Sequence, residues 1–174
     1  RLMVGFNRRF APHVIKMKSL LEAKREPKIV VMTINAGSIS SDHWTQDIQV
    51  GGGRIVGEGC HFIDLMQFLI GSPIKSHHAI MMGNSPAIDV NDDKTSISLS
   101  FADGSFGTIH YFANGGKTFP KERIEVFCGD AVLQLDNFKV LKGYGWLNFN
   151  KMRLLNQDKG QKACASAFLD SIRR

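Results

Sequence analysis

The chain has 174 residues and a mass of 19.3 kDa, with 43% hydrophobic, 22% charged and 9% aromatic residues. That is the composition of one packed globular domain and excludes disordered, collagenous and disulfide-stapled chains. At this length roughly 70% of the unfolded surface can be buried, so a core forms without a metal or a bridge framework. Lys and Arg number 22 against 16 Asp and Glu, giving a net charge of +6 and a pI near 9.4, a balance that favours anionic partners. The basic residues are scattered as Arg8-Arg9, Lys24-Arg25 and Arg173-Arg174, without the dense stripe of a nucleic-acid surface.

No window reaches the ~20 apolar residues of a membrane span, and the first residues lack the zones of an export signal. Cys60, Cys128 and Cys164 are scattered without CxxC spacing and fit free thiols better than bridges. The expectation is a cytoplasmic protein with neither membrane nor nucleic acid as partner.

Leu2 to Phe6 is a short apolar run that reads as the end of a strand whose preceding structure lies outside the chain. Pro12 suits the first turn of a helix, where its missing N–H would be unpaired anyway. Phe10, Val14, Met17 and Leu21 recur at helical spacing, so an amphipathic helix is predicted from Pro12 to about Lys24. Lys28 to Ala36 (KIVVMTINA) is β-branched and apolar between Pro27 and Gly37, which predicts a well-covered strand. The polar stretch Gly37 to Val50 mixes His43, Trp44, Thr45 and Gln46, and loops of this kind carry binding groups. Gly51-Gly52-Gly53 then leads into a second helix, with Phe62, Leu65, Phe68 and Leu69 at intervals of three and four, ended by Gly71 and Pro73.

From Ile74 the period changes to two. Ile74 to Met82, Lys94 to Phe101, Ser105 to Phe112, Glu122 to Cys128, Ala131 to Leu135 and Phe138 to Leu141 read as strands of an antiparallel meander. Asp103-Gly104 marks a hairpin turn, and Cys128-Gly129-Asp130-Ala131 another. Gln161 to Arg174 is helical, with Cys164, Phe168 and Ile172 on one face, and it stops without a cap, as though the chain were cut there. The fold class is therefore α+β, a large and mainly antiparallel sheet with helices packed on one face. The uncovered face predicts homo-oligomerisation.

The densest chemical signal lies between Gly51 and Gly71, GGGRIVGEGCHFIDLMQFLIG. His61 and Asp64, three apart, share one helix face. Near a helix start the dipole disfavours the imidazolium, leaving a neutral ring that can accept a proton, with Asp64 able to orient it. The same residues also fit a packed helix start and a solvated charge. The glycine run lacks the preceding strand and the third glycine position of a dinucleotide fingerprint, and is not a phosphate loop.

This stretch, with LMVGFNRRFAP before it, ERIEVFCGDAVLQLDN after it and the closing KGQKACASAFLDSIRR, resembles the C-terminal domain of the glucose-fructose oxidoreductase/inositol dehydrogenase/MocA family of NAD(P)-dependent oxidoreductases, over nearly the whole chain. The resemblance implies one substrate-binding and oligomerisation domain over residues 1–174, with the N-terminal Rossmann domain absent from this chain. It also implies hydride transfer between a nicotinamide and a sugar hydroxyl, with NAD or NADP bound mainly by that missing domain. His61 matches the family's catalytic histidine. Many members carry an aspartate four residues earlier, where this chain has Gly57 followed by Glu58, so Glu58 joins His61 and Asp64 as a catalytic candidate. The family's Glu-Lys-Pro motif and its GxGxxG turn are absent from this chain.

Trp44 and Gln46 are the substrate-binding candidates. An indole face stacks on sugar C–H groups and amides bond hydroxyls, although a buried tryptophan anchoring a surface loop fits the sequence equally. Arg8 is a third, able to hold a phosphate or carboxylate through two parallel bonds, or else half of a solvated pair with Arg9. No metal site is expected, because adjacent His77 and His78 point to opposite faces of a strand and Cys60 and His61 do not easily converge. The leading reading is a sugar or nucleotide-sugar oxidoreductase domain. The alternative is a non-catalytic sugar-binding or dimerisation module, motivated by Gly57.

Overall fold

Pro12 opens the first helix, as its ring geometry favours, and Val14, Met17 and Leu21 fall on one buried stripe of α1 (Pro12–Glu22). The computed structural model describes residues 2–173. After α1 come β1 (Ile29–Asn35), a π-helical turn at Ile55–Gly59 that runs into α2 (Cys60–Ile70), and seven strands: β2 (Ile74–Met81), β3 (Lys94–Phe101), β4 (Phe106–Phe112), β5 (Glu122–Cys128), β6 (Ala131–Asp136), β7 (Val140–Tyr144) and β8 (Lys151–Arg153). The last helix is α3 (Gln161–Arg173), and a 3₁₀ turn at Asn7–Phe10 precedes α1.

The eight strands form one sheet in the order β2-β3-β4-β1-β5-β6-β7-β8. Every pairing is antiparallel except β1 with β4, where Ile29 meets Phe106 and Asn35 meets Phe112. The sheet is mainly antiparallel but not a simple meander, because β1 sits between β4 and β5 as a central strand. Its Val30, Met32 and Ile34 are almost fully enclosed.

Alternation divides the sheet into two unlike faces. One carries Ile97, Leu99, Ile109, Tyr111, Ile124, Val126, Leu133 and Leu135 into a core closed by Val14, Met17 and Leu21 of α1 and by Phe62, Leu65, Met66 and Leu69 of α2. The other presents Ser96, Ser98 and Ser100 beside exposed Ile29, Phe106, Phe127 and Tyr144. The Asp103-Gly104 turn forms, with the Asp103 carboxylate accepting from the Ser105 amide at 3.0 Å and hydroxyl at 2.9 Å.

Several local expectations are corrected. Leu2 to Phe6 is not a strand but irregular chain leading into the 3₁₀ turn. Strand β7 begins at Val140, because Asn137 and Phe138 both take positive φ in the turn before it. The short strand β8 has no alternation long enough to see. Arg174 lies outside the described residues, and α3 buries Cys164 while leaving Ile172 half exposed. Among the described residues no helix is long and apolar enough to cross a membrane.

Candidate active site

His61 is the second residue of α2, yet it does not stand at a bare helix end. Helical dihedrals begin at Arg54 and continue through the π turn, so the terminal dipole, which fades within a turn, no longer explains a neutral ring. Two other causes do. Burial lowers the affinity of His61 for a proton, and the Arg8 guanidinium lowers it further, while Asp64, Glu58 and Glu122 oppose them. Nδ1 is enclosed without a partner, which leaves Nε2 as the outward nitrogen. The ring packs edge-on to Phe6, with centroids 5.6 Å apart.

Asp64 shares the helix face of His61 but is not hydrogen-bonded to it. Both of its oxygens are held by Arg9, whose Nε donates to Oδ2 at 3.0 Å while its terminal nitrogen donates to Oδ1. Asp64 therefore reaches His61 as a charge and not as a ring-orienting acceptor. The Arg9 guanidinium also lies 5.3 Å over the Phe68 ring.

Arg8 is not a solvated partner of Arg9. It donates to Glu122 Oε1 at 3.1 Å and stacks 4.5 Å over the ring of Phe62, the residue after His61. Glu122, only 1% exposed at the head of β5, also accepts from Lys159 at 2.7 Å. Burial pushes its carboxyl up, but the charges of Arg8 and Lys159 and their hydrogen bonds outweigh that and hold it below its ordinary range.

A second polar group forms on the other side of the π turn. Tyr111, fully buried on β4, donates its hydroxyl to Glu58 Oε2 at 2.6 Å, and Arg54 lies 3.6 Å from Glu58 Oε1. Burial and then this hydrogen bond push the phenol well above its usual range. Arg54 is itself enclosed. It donates to the carbonyls of Gly37 at 2.7 Å and Ala36 at 3.3 Å, and it lies 3.6 Å from buried Asp93. Gln46 joins this group, its amide donating to Asp93 at 3.2 Å.

Trp44 is 62% exposed, tilted against His43 at 5.9 Å, so it does not anchor its loop from within. The loop is held near the helical stretch at Gly51, where a Cβ would fall 2.5 Å from the Trp44 carbonyl oxygen, a closeness that only glycine tolerates. The glycine run thus serves loop packing. Among the described residues it follows a turn and not a strand, and it offers no dinucleotide cradle.

The structure therefore gathers His61, Asp64 and Arg8 in one charged group, and Glu58 and Gln46 in a neighbouring one. Trp44 stands apart at the surface. Sequence reasoning missed Arg9 as the partner of Asp64, and also Arg54, Asp93, Tyr111, Glu122 and Lys159. Two of these carried a signal. Arg54 precedes Glu58 by four residues on a helical stretch, and Glu122 puts a charge in phase with the core positions Ile124 and Val126.

An α+β sheet with one helix-covered face is the architecture of a dehydrogenase C-terminal domain. Residues 14–134 match the GFO/IDH/MocA C-terminal domain, and the chain belongs to that family of oxidoreductases. No curated protein matches the chain. Among solved structures it is similar to UDP-N-acetylglucosamine 3-dehydrogenase from Acidithiobacillus ferrooxidans (TM-score 0.74, 17% identity, 99% of this chain and 52% of that one). It is also similar to an oxidoreductase from Thermotoga maritima (TM-score 0.71, 21% identity, 97% and 51%). A third is a protein from gentamicin A biosynthesis solved in complex with NAD (TM-score 0.66, 21% identity, 97% and 52%). The chain spans about half the length of each of these structures.

Proposed function

We propose that the chain is the substrate-binding half of an NAD(P)-dependent oxidoreductase that moves a hydride between a nicotinamide and a sugar or nucleotide-linked sugar. The observation that carries this reading is His61, half-buried, with Nδ1 enclosed and the ring kept neutral by burial and by Arg8. Its outward nitrogen can take a hydroxyl proton near neutral pH. The likeness to a UDP-N-acetylglucosamine 3-dehydrogenase and to a protein in complex with NAD supports the choice of substrate and cofactor class.

NAD or NADP is held mainly by a dinucleotide-binding domain in the other half of the complete protein. Bound there, the nicotinamide accepts or supplies the hydride. This chain's residues do the rest. His61 exchanges the hydroxyl proton, and Glu58, 41% exposed and hydrogen-bonded to Tyr111, acts on the ring through its charge. Asp64, neutralised by Arg9, steadies the field at the ring. Trp44 stacks on the sugar, and the free amide oxygen of Gln46 accepts a hydroxyl. Arg8, committed to Glu122, serves the imidazole and not a substrate anion.

The free thiols Cys60, Cys128 and Cys164 suit a reducing compartment such as the cytoplasm. A second copy covers the open sheet face around Ile29, Phe106, Phe127 and Tyr144. Phe127→Asp should then lower the mass measured by light scattering to that of a single copy, and an unchanged mass would remove this interface.

The test uses the complete polypeptide with NAD or NADP and a panel of free and UDP-linked sugars. Nicotinamide reduction with at least one sugar is expected, and His61→Ala should slow it by about 100-fold or more. Nicotinamide reduction with none of the sugars, and sugar affinity indifferent to His61→Ala, favours the second reading, a non-catalytic sugar-binding or dimerisation module. Gly57 is the residue behind that reading. A Cβ there would have only the Gly51 carbonyl oxygen near it, at 3.9 Å, so the backbone does not itself require glycine at this position.

A further inference from the structure

Three charged side chains from segments far apart in sequence meet at the head of β5, and one of them, Arg8, lies over Phe62, the residue after His61. Arg8 comes from the 3₁₀ turn, Glu122 from the first position of β5, and Lys159 from the loop before α3. Both cations bond the same oxygen, Glu122 Oε1, at 3.1 and 2.7 Å, while Oε2 is enclosed without a partner. Burying a carboxylate at a strand position in phase with Ile124 and Val126 costs stability, and an apolar residue there would extend the core. What the carboxylate does instead is fix Arg8. The guanidinium is pinned over Phe62 with its Nε enclosed, close enough for its charge to act on the neighbouring imidazole.

The charges acting on the ring come from every side. They are Arg8 from the 3₁₀ turn, Glu58 from the π turn, Asp64 from α2 itself and Glu122 from β5. Asp64 is bonded to Arg9, and Glu58 lies near Arg54 and accepts from Tyr111. Glu122 is thus the counterion of the cation that faces the ring. The anchorage reaches further, because Asn7 donates to the Lys159 carbonyl at 2.7 Å and so ties the loop before α3 to the 3₁₀ turn.

We propose that Glu122 is a positioning residue for proton transfer at His61: with Lys159 it pins Arg8 and sets how much positive charge the imidazole works beside. The proposal rests on the reading of His61 as the proton-transfer group. It is tested without substrate or cofactor, so its failure is distinct from failure of that reading.

The experiment is a pH titration of the histidine ring resonances of the 174-residue chain by NMR, with the His61 signal assigned by its loss in His61→Gln. In Glu122→Gln the two cations keep their charge and lose their counterion, so the His61 midpoint should fall by about half a pH unit or more. Glu122→Asp should restore much of the difference. Glu125→Gln, on the other face of β5, should leave the midpoint where it was. Lys159→Met removes a positive charge and should move it upward. A His61 midpoint unchanged in a folded Glu122→Gln variant overturns the proposal. Should that variant fail to give a native spectrum, the absence of an upward move in Lys159→Met overturns it instead.

Discussion

The hydroxyl of Tyr111, buried on β4, donates to the Glu58 carboxylate at 2.6 Å and so ties the centre of the sheet to the π turn ahead of α2. Because the carboxylate is partly exposed, it can rehydrate when the donor is lost. Tyr111→Phe should therefore cost about 1–2 kcal/mol and not more, measured by urea denaturation. A loss near zero would mean that the hydrogen bond adds nothing to the turn.

His13 lies fully buried in α1, its ring nitrogens near the Met152 and Lys139 backbone but without a well-aligned hydrogen bond. Burial lowers its proton affinity below the ordinary 6.5, against the backbone of Met152 and Lys139 and the charge of Asp158, and His61 is lowered in the same direction. Unfolded chains then take up protons that the folded chain refuses. Stability should be full above about pH 7 and fall as pH drops from there towards the lowered folded values. Thermal melting at successive pH values checks this, and His13→Leu should flatten the slope. An undiminished slope in that variant would clear His13 of any part in it.

Glu122 acts with the same sign in a lower pH window. Its folded carboxyl titrates below the ordinary 4.5, so the stability it contributes is present above that value and lost as pH falls through the folded one. Arg8→Ala leaves the buried carboxylate with Lys159 alone and should cost about 3 kcal/mol. Denaturant midpoints at neutral pH against pH 3 read both effects, since the penalty should shrink once the carboxyl is protonated.

Gly160 has φ +81°, and a Cβ there would sit 2.5 Å from the Asn7 oxygen and 2.6 Å from the Ala11 nitrogen. Gly160→Ala should destabilise by about 1–3 kcal/mol. The loss should be local, with amide exchange rising in α3, which has Cys164 as its buried residue, and staying slow in β1. Uniform acceleration across the sheet would show that α3 is no separate unit.

The strands at Lys94–Phe101 and Glu122–Cys128 were legible to the residue, because Ser-Ile-Ser-Leu-Ser-Phe alternates without a break and Arg-Ile-Glu-Val alternates between the charge at Glu122 and the turn at Gly129. The place of β1 was not, since nothing local to Ile29–Asn35 says which strands flank it. In the site, spacing alone put His61 and Asp64 on one face, and the structure keeps them there. It could not show that Arg9 occupies both Asp64 oxygens, because that bond spans 55 positions and depends on how the 3₁₀ turn docks on α2. The neutral ring was anticipated for a reason that the π turn removes, since the helical stretch starts before His61 and burial and Arg8 take the place of the dipole.

The insertion of β1 between β4 and β5 sets the order in which the molecule can assemble. Residue Ile29 leaves the ribosome long before Phe106 and Phe127, its two cross-strand neighbours, so the central strand waits unpaired while the rest of the sheet is synthesised. The hairpins β3–β4 and β5–β6 need only nearby partners and can close first. The last event is then the entry of β1 into the slot between them, the step with the greatest loop-closure entropy. Mutations in the hairpin turns, already closed at that step, should accordingly slow folding with little effect on unfolding, whereas mutations in Val30, Met32 or Ile34, whose contacts form last, should act mainly on the unfolding rate.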